Sequence, residues 1–162
     1  MIRINRETDY GIGILTLMAR SRGQRFNAAS LAEQSGLPQP MVSKILKHLV
    51  HGGILVSYRG AKGGYGLARE PEQISVANVI AALEGPISLT ECVEEGPDAC
   101  QYGDSCTVST NWNRINRVVQ KALESITVAE MSAPEPAGAM TMEQAGAVHP
   151  LKFTGVRYVS DL

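Results

Sequence analysis

The stretch PMVSKILKHLVHGGILVSYRGAKGGYGLA, residues 40–68, decides the fold. Its first half places Val42, Ile45, Leu46, Leu49 and Val50 at the spacing of one helix face, with Ser43, Lys44, Lys47 and His48 on the other. Pro40 suits a first helical turn, where a missing N–H costs nothing, and His51-Gly52-Gly53 ends the helix. Ile54 to Arg59 then has strand composition, Gly60 to Gly64 is a turn, and Tyr65 to Ala68 pairs back as a second strand. Upstream, Asn27 caps a short helix through Ser35, Leu31 and Ala32 face inward, and Gly36 stops it. Asp9 to Arg20 forms a helix before that, with apolar positions at Tyr10, Ile14, Leu17 and Met18. Two short helices and a hairpin in this order make a winged helix-turn-helix. A solvated amphipathic helix in an ordinary bundle is the bland alternative. A nucleotide-binding loop at the hairpin is disfavoured, because Gly63 follows Lys62 where a phosphate-binding loop needs Ser or Thr.

Charge divides along the chain in a way that fits this reading. Residues 1–69 hold ten Lys/Arg against Glu7, Asp9 and Glu33, a net of +7, while residues 70–162 carry a net of -8. A basic N-terminal part next to an acidic remainder points to a polyanion partner for the first and another task for the second. The expected docking set is Gln39, Ser43 and Lys44 on base edges, with Lys47, Arg59 and Lys62 on phosphates or in the adjacent minor groove. Met1 to Glu7 lacks the apolar core of a leader, and no window approaches the ~20 apolar residues of a membrane span, so a cytoplasmic protein with reduced thiols is expected.

All three cysteines, Cys92, Cys100 and Cys106, lie within fifteen residues, beside Glu91, Glu94, Glu95, Asp98 and Asp104 and no Lys or Arg. Three close thiols in a reducing compartment suggest a metal centre before disulfides. Buried thiols or a zinc clip are the alternatives; the absence of any C-x-x-C pair argues against a zinc knuckle and a thioredoxin-like redox site. After this segment the apolar positions Val108, Trp112, Ile115, Val119, Ala122 and Ile126 advance in steps of four and three, a heptad seam that suits packing against the same helix of a second subunit; a helix lying back on its own domain is the alternative. The expected organisation is a DNA-binding winged helix over 1–85, a cysteine-rich loop over 86–107, a dimerisation helix over 108–131 and a flexible linker and tail over 132–162. No Ser/His/Asp or paired-carboxylate arrangement marks an enzyme, and no small-molecule substrate is expected.

The order of winged helix, cysteine loop and long helix, with Arg59-Gly60-x-x-Gly63-Gly64-Tyr65 at the wing and Ile126 to Met131 at the helix end, resembles the winged-helix family of bacterial iron-sulfur-sensing regulators that includes IscR and NsrR. The resemblance covers about residues 1–131. Thr8 to Gly11, Val42 to Lys47 and Ala82 to Cys92 look most like the branch that regulates the SUF iron-sulfur assembly operon. It implies a homodimer on promoter DNA, acting as a repressor, with an iron-sulfur cluster held by Cys92, Cys100 and Cys106; [2Fe-2S] is expected in preference to [4Fe-4S]. Ser109 stands where IscR-type proteins supply a histidine. Asp9 matches the aspartate that NsrR-type nitric oxide sensors use, which makes Asp9 the expected fourth ligand and a nitric oxide sensor the rival reading. Seven residues separate Cys92 from Cys100, where better-known members have five. A cluster carrier without a regulatory role, or a zinc-binding protein, is the alternative of another class.

Overall fold

The computed structural model describes residues 4–60, 63–93, 100 and 106–133. Three helices come first: α1 (Arg6–Arg20), α2 (Ala28–Ser35) and α3 (Gln39–His51). An antiparallel hairpin of β1 (Leu55–Tyr58) and β2 (Gly64–Leu67) follows, in the register Leu55 to Leu67 and Tyr58 to Gly64. After a 3-10 turn at Pro71–Gln73 come α4 (Val76–Glu84), a second such turn at Glu91–Val93, α5 (Ser109–Glu124) and α6 (Val128–Ser132). This is the mainly α, winged helix-turn-helix architecture that the sequence implies.

Local chemistry explains the boundaries. α1 begins three residues before the expected Asp9, because Asn5 is its cap and accepts from the Thr8 N–H through Oδ1 at 3.0 Å. Asp9 is therefore a first-turn residue and not the helix cap. Asn27 caps α2 as expected, accepting from the Ser30 N–H at 2.7 Å, and Gly36 closes it. Ser75 caps α4 reciprocally with Asn78. In the wing, Gly64 has φ of +145° and a Cβ there would lie 2.5 Å from the Phe26 carbonyl oxygen. Only glycine lets this backbone pass close enough for Tyr65 and Phe26 to exchange hydrogen bonds of 2.7 and 3.0 Å, which tie the wing to the segment before α2.

The core gathers Ile14, Leu15 and Met18 of α1, Leu31 of α2, Val42, Ile45, Leu46 and Leu49 of α3, Ile54 and Leu55 at the wing, and Val79 of α4. Each such side chain contributes about 1.5–3 kcal/mol on burial. Val128, far along the chain, is fully buried in the same cluster.

That placement corrects the expectation of one continuous helix over 108–131. The helix stops at Glu124, and Thr127 opens α6 as a capping box with Glu130: the Thr127 hydroxyl accepts from the Glu130 N–H at 3.2 Å, and Glu130 Oε2 accepts from the Thr127 N–H at 2.7 Å. α6 then packs on α1, where the Ser132 carbonyl accepts from Arg20 Nε at 3.3 Å, so Ser132, the expected start of the linker, is the last residue of this helix. Residues 134–162, including His149, lie outside the described residues.

Thr127→Ala should lower stability by about 1 kcal/mol, read as a fall in melting temperature, since a helix cap is lost at a buried joint. Hydrogen bonds from the Thr127 N–H and hydroxyl hold the Glu130 carboxyl below its ordinary range. Its contribution is present above that range and fades as pH falls through the lowered value, so Glu130→Gln should flatten the acid side of the stability profile.

Candidate DNA interface and metal site

On α3 the buried Val42, Ile45, Leu46 and Leu49 turn the opposite face outward, leaving Gln39, Lys44 and Lys47 exposed and Ser43 half-buried along one side. Arg59 is exposed where β1 leads into the wing tip, and Lys62 lies outside the described residues. Two charged groups join this surface that the sequence reading did not single out. Glu7 of α1 sets Oε1 2.5 Å from Lys44 Nζ and Oε2 4.0 Å from His48 Nδ1. Arg25 stacks its guanidinium 3.9 Å over the ring of Tyr58, the last residue of β1 before the wing tip, a cation–π contact. Each directly precedes a buried residue, Thr8 and Phe26 respectively.

The cysteine segment hangs between α4 and α5. Its entry is held by Asn116, which is 4% exposed: Nδ2 donates to the Ile87 carbonyl at 2.9 Å, and Oδ1 accepts from the Leu89 N–H at 3.1 Å. The Cys100 N–H donates to the Glu91 carbonyl at 3.3 Å, which returns Cys100 to the turn that carries Cys92. The Cys106 carbonyl accepts from both the N–H and the hydroxyl of Ser109, at 3.3 and 3.0 Å. Ser109 therefore works as a helix-start residue, and Cys106 sits at the positive end of α5, where an anionic centre is favoured. Cys100 and Cys106 are free, half-buried thiols; the Cys92 side chain lies outside the described residues. Among the described residues no three His, Cys, Asp or Glu side chains converge as a metal site. Closely spaced soft thiols are the donor set an iron-sulfur cluster takes.

Asp9 is exposed and borders a cleft with Ile4, Ile12, Val76, Ile126 and Met131. That cleft lies past the C-terminal end of α5, whereas Cys106 precedes its N-terminal end, and sixteen residues of helix span about 24 Å. Within one chain Asp9 and Cys106 therefore lie toward opposite ends of α5.

Among the described residues, the apolar seam along α5 is only partly covered. Its members Val108, Trp112, Ile115 and Ile126 are 48%, 38%, 44% and 42% exposed and Val119 is half-buried, while the polar Asn116 is the buried residue of α5. No helix among the described residues is long and apolar enough to cross a membrane.

The profile of the Rrf2 family, described as iron-dependent transcriptional regulator, matches residues 4–134. The chain belongs to the Rrf2 family. It is 39% identical over 102 residues to a Synechocystis sp. protein, slr0846, named as an HTH-type transcriptional regulator, a match covering 63% of this chain and 67% of that one. It is 31% identical over 103 residues to the HTH-type transcriptional regulator IscR of Serratia proteamaculans, covering 64% of this chain and 62% of its relative. Among solved structures, CymR, the global cysteine regulator of Bacillus subtilis, is 29% identical with a TM-score of 0.63, over 82% of this chain and 97% of that one. As a Rrf2 protein the chain is a DNA-binding transcriptional regulator and not an enzyme, which agrees with the sequence reading.

Asn116→Ala would leave the Ile87 carbonyl and the Leu89 N–H unpaired. It should cost about 1–3 kcal/mol and speed hydrogen exchange at the Leu89 amide, next to the cysteine segment; unchanged exchange there would show that other contacts hold the loop.

Proposed function

We propose that this Rrf2 protein is a homodimeric repressor whose DNA affinity depends on an iron-sulfur cluster, and that it controls iron-sulfur assembly genes of the SUF type. The observation that carries the reading is the apolar seam of α5, exposed at Trp112 and Ile115 among the described residues, on a helix that starts three residues after Cys106. A seam of this kind closes when two α5 helices pack together, and a two-fold dimer presents two α3 helices to half-sites a helical turn or a multiple apart. Gln39, Ser43 and Lys44 meet base edges; Lys47, Arg59 and Lys62 meet phosphates or the minor groove.

Cys92, Cys100 and Cys106 would hold the cluster, and Asp9 would complete it. Because Asp9 lies at the far end of α5 within its own chain, the ligand comes from the partner subunit across the α5 pair. A cluster with one oxygen ligand has a labile corner and a shifted potential, which suits a sensor. On this chain's side, Asp9 occupies the first turn of α1, so gaining or losing its bond acts on the helix packed against α3 and α4. The SUF-like segments and the likeness to IscR support the target. Nitric oxide sensing is the second reading, favoured by the Asp9 position. Cysteine regulation, named for CymR, is set against three clustered cysteines that suit metal better than a role as simple metabolite sensor.

Lys47→Ala should weaken binding to every duplex alike and flatten the dependence of log affinity on log salt by about 0.9, the share of one phosphate. Ser43→Ala should instead relax base preference at a cost of about 1–3 kcal/mol on the preferred duplex. Ile115→Glu should yield monomers by ultracentrifugation with weakened operator binding. A dimer unaffected by Ile115→Glu would remove the seam from the interface.

A further inference from the structure

The outer face of α3 carries two differently placed lysines. Lys47 has no ion-pair partner among the described residues, whereas Lys44 is held by Glu7, an acid delivered from the first turn of α1. The same carboxylate reaches His48, one turn further along α3. Glu7 is the more sheltered member of the pair, its side chain 32% exposed against 57% for Lys44. It is held in place by its neighbours: Asn5 caps the turn, Thr8 beside it is fully buried, and the Asn5 N–H donates to Glu84 Oε1 at 3.1 Å. The carboxylate thus stays put, and the flexible lysine comes to it.

We propose that Glu7 is a specificity residue of the DNA interface, holding Lys44 away from free phosphate binding and aiming it at a base edge. The inference rests on the reading of α3 as the helix that enters the major groove. Its chemistry is direct. A lysine ammonium is a mobile point charge that binds any phosphate within reach. One of its three protons is occupied by Glu7, and the negative charge beside it opposes a phosphate while leaving the remaining protons for an uncharged acceptor on a base. Removing the acid releases a cation that binds other sequences better and the right sequence no better. Because Glu7 is two residues from Asp9 on the same helical turn, a shift of that turn also moves the residue that directs Lys44.

The test compares wild-type protein, Glu7→Gln, Lys44→Ala and the double variant on two duplexes, one selected by wild-type protein from a random pool and one unselected, across a salt series. Glu7→Gln should bind the unselected duplex between about two- and fivefold more tightly, the range an exposed ion pair supplies, with a salt slope steeper by about 0.9. Affinity for the selected duplex should not rise, so the ratio between the two falls. In the Lys44→Ala background, Glu7→Gln should change neither slope nor ratio. Equal effects in both backgrounds would make Glu7 a general repulsive charge, and no effect in either would make it a bystander; both overturn the inference. Lys44→Gln reads the same pair from the other side and should also lower the ratio, whether or not Glu7→Gln folds. Wild-type protein that selects no duplex would overturn the reading of α3 itself, a result distinct from normal selection left unchanged by Glu7→Gln.

Discussion

Two hydrogen bonds of 2.8 Å, from the Val76 N–H to the Ile126 carbonyl and from the Val128 N–H to the Ile74 carbonyl, join the start of α4 to the break between α5 and α6. They turn the chain from 76 to 126 into a closed excursion: out along α4, through the cysteine segment, and back along α5. Val128, fully buried among the residues of the first three helices, fixes the base of that excursion to the DNA-reading core. Its far end carries the cysteines. Neither α4 nor α5 has to find its position independently once this joint is made.

From that joint follows the inverted character of α5. The side it turns to its own chain is held by Asn116, whose two hydrogen bonds organise the approach to Cys92, and the side it turns away is apolar. A solitary helix with this pattern would be unstable in water. In the proposed dimer the same pattern would satisfy both demands, the polar side holding the Ile87 and Leu89 backbone and the apolar side supplying the interface. Asp9 lies near Ile126 and Met131, at the end of α5 away from Cys106.

Much of this was legible in the residues themselves. Asn27 and Ser75 signal helix starts through their own side-chain chemistry, the alternation of α3 separates core from outer face, and Gly63-Gly64 marks the tight wing. The break after Glu124 was not read, although Thr127-Val128-Ala129-Glu130 has the spacing of a capping box. The steps of the seam run without interruption to Ile126 and mask it, and the deciding contact, Val128 in a core formed about a hundred residues earlier, is not local. Glu7 and Asn116 escaped for a related reason. Each is an ordinary polar residue until the fold brings Lys44 or the Ile87 and Leu89 backbone to it.

The central claim is that this Rrf2 chain carries a cluster whose state changes its grip on DNA. An iron and sulfide count with visible absorption on anaerobically isolated protein, followed by titration of a selected duplex before and after cluster removal, tests it most directly. The account predicts coloured protein with iron and inorganic sulfide, and a change in duplex affinity of about 5- to 150-fold when the cluster is lost, the span of ordinary coupling between two sites. Colourless protein with stoichiometric zinc, or equal affinity in both states, would contradict it.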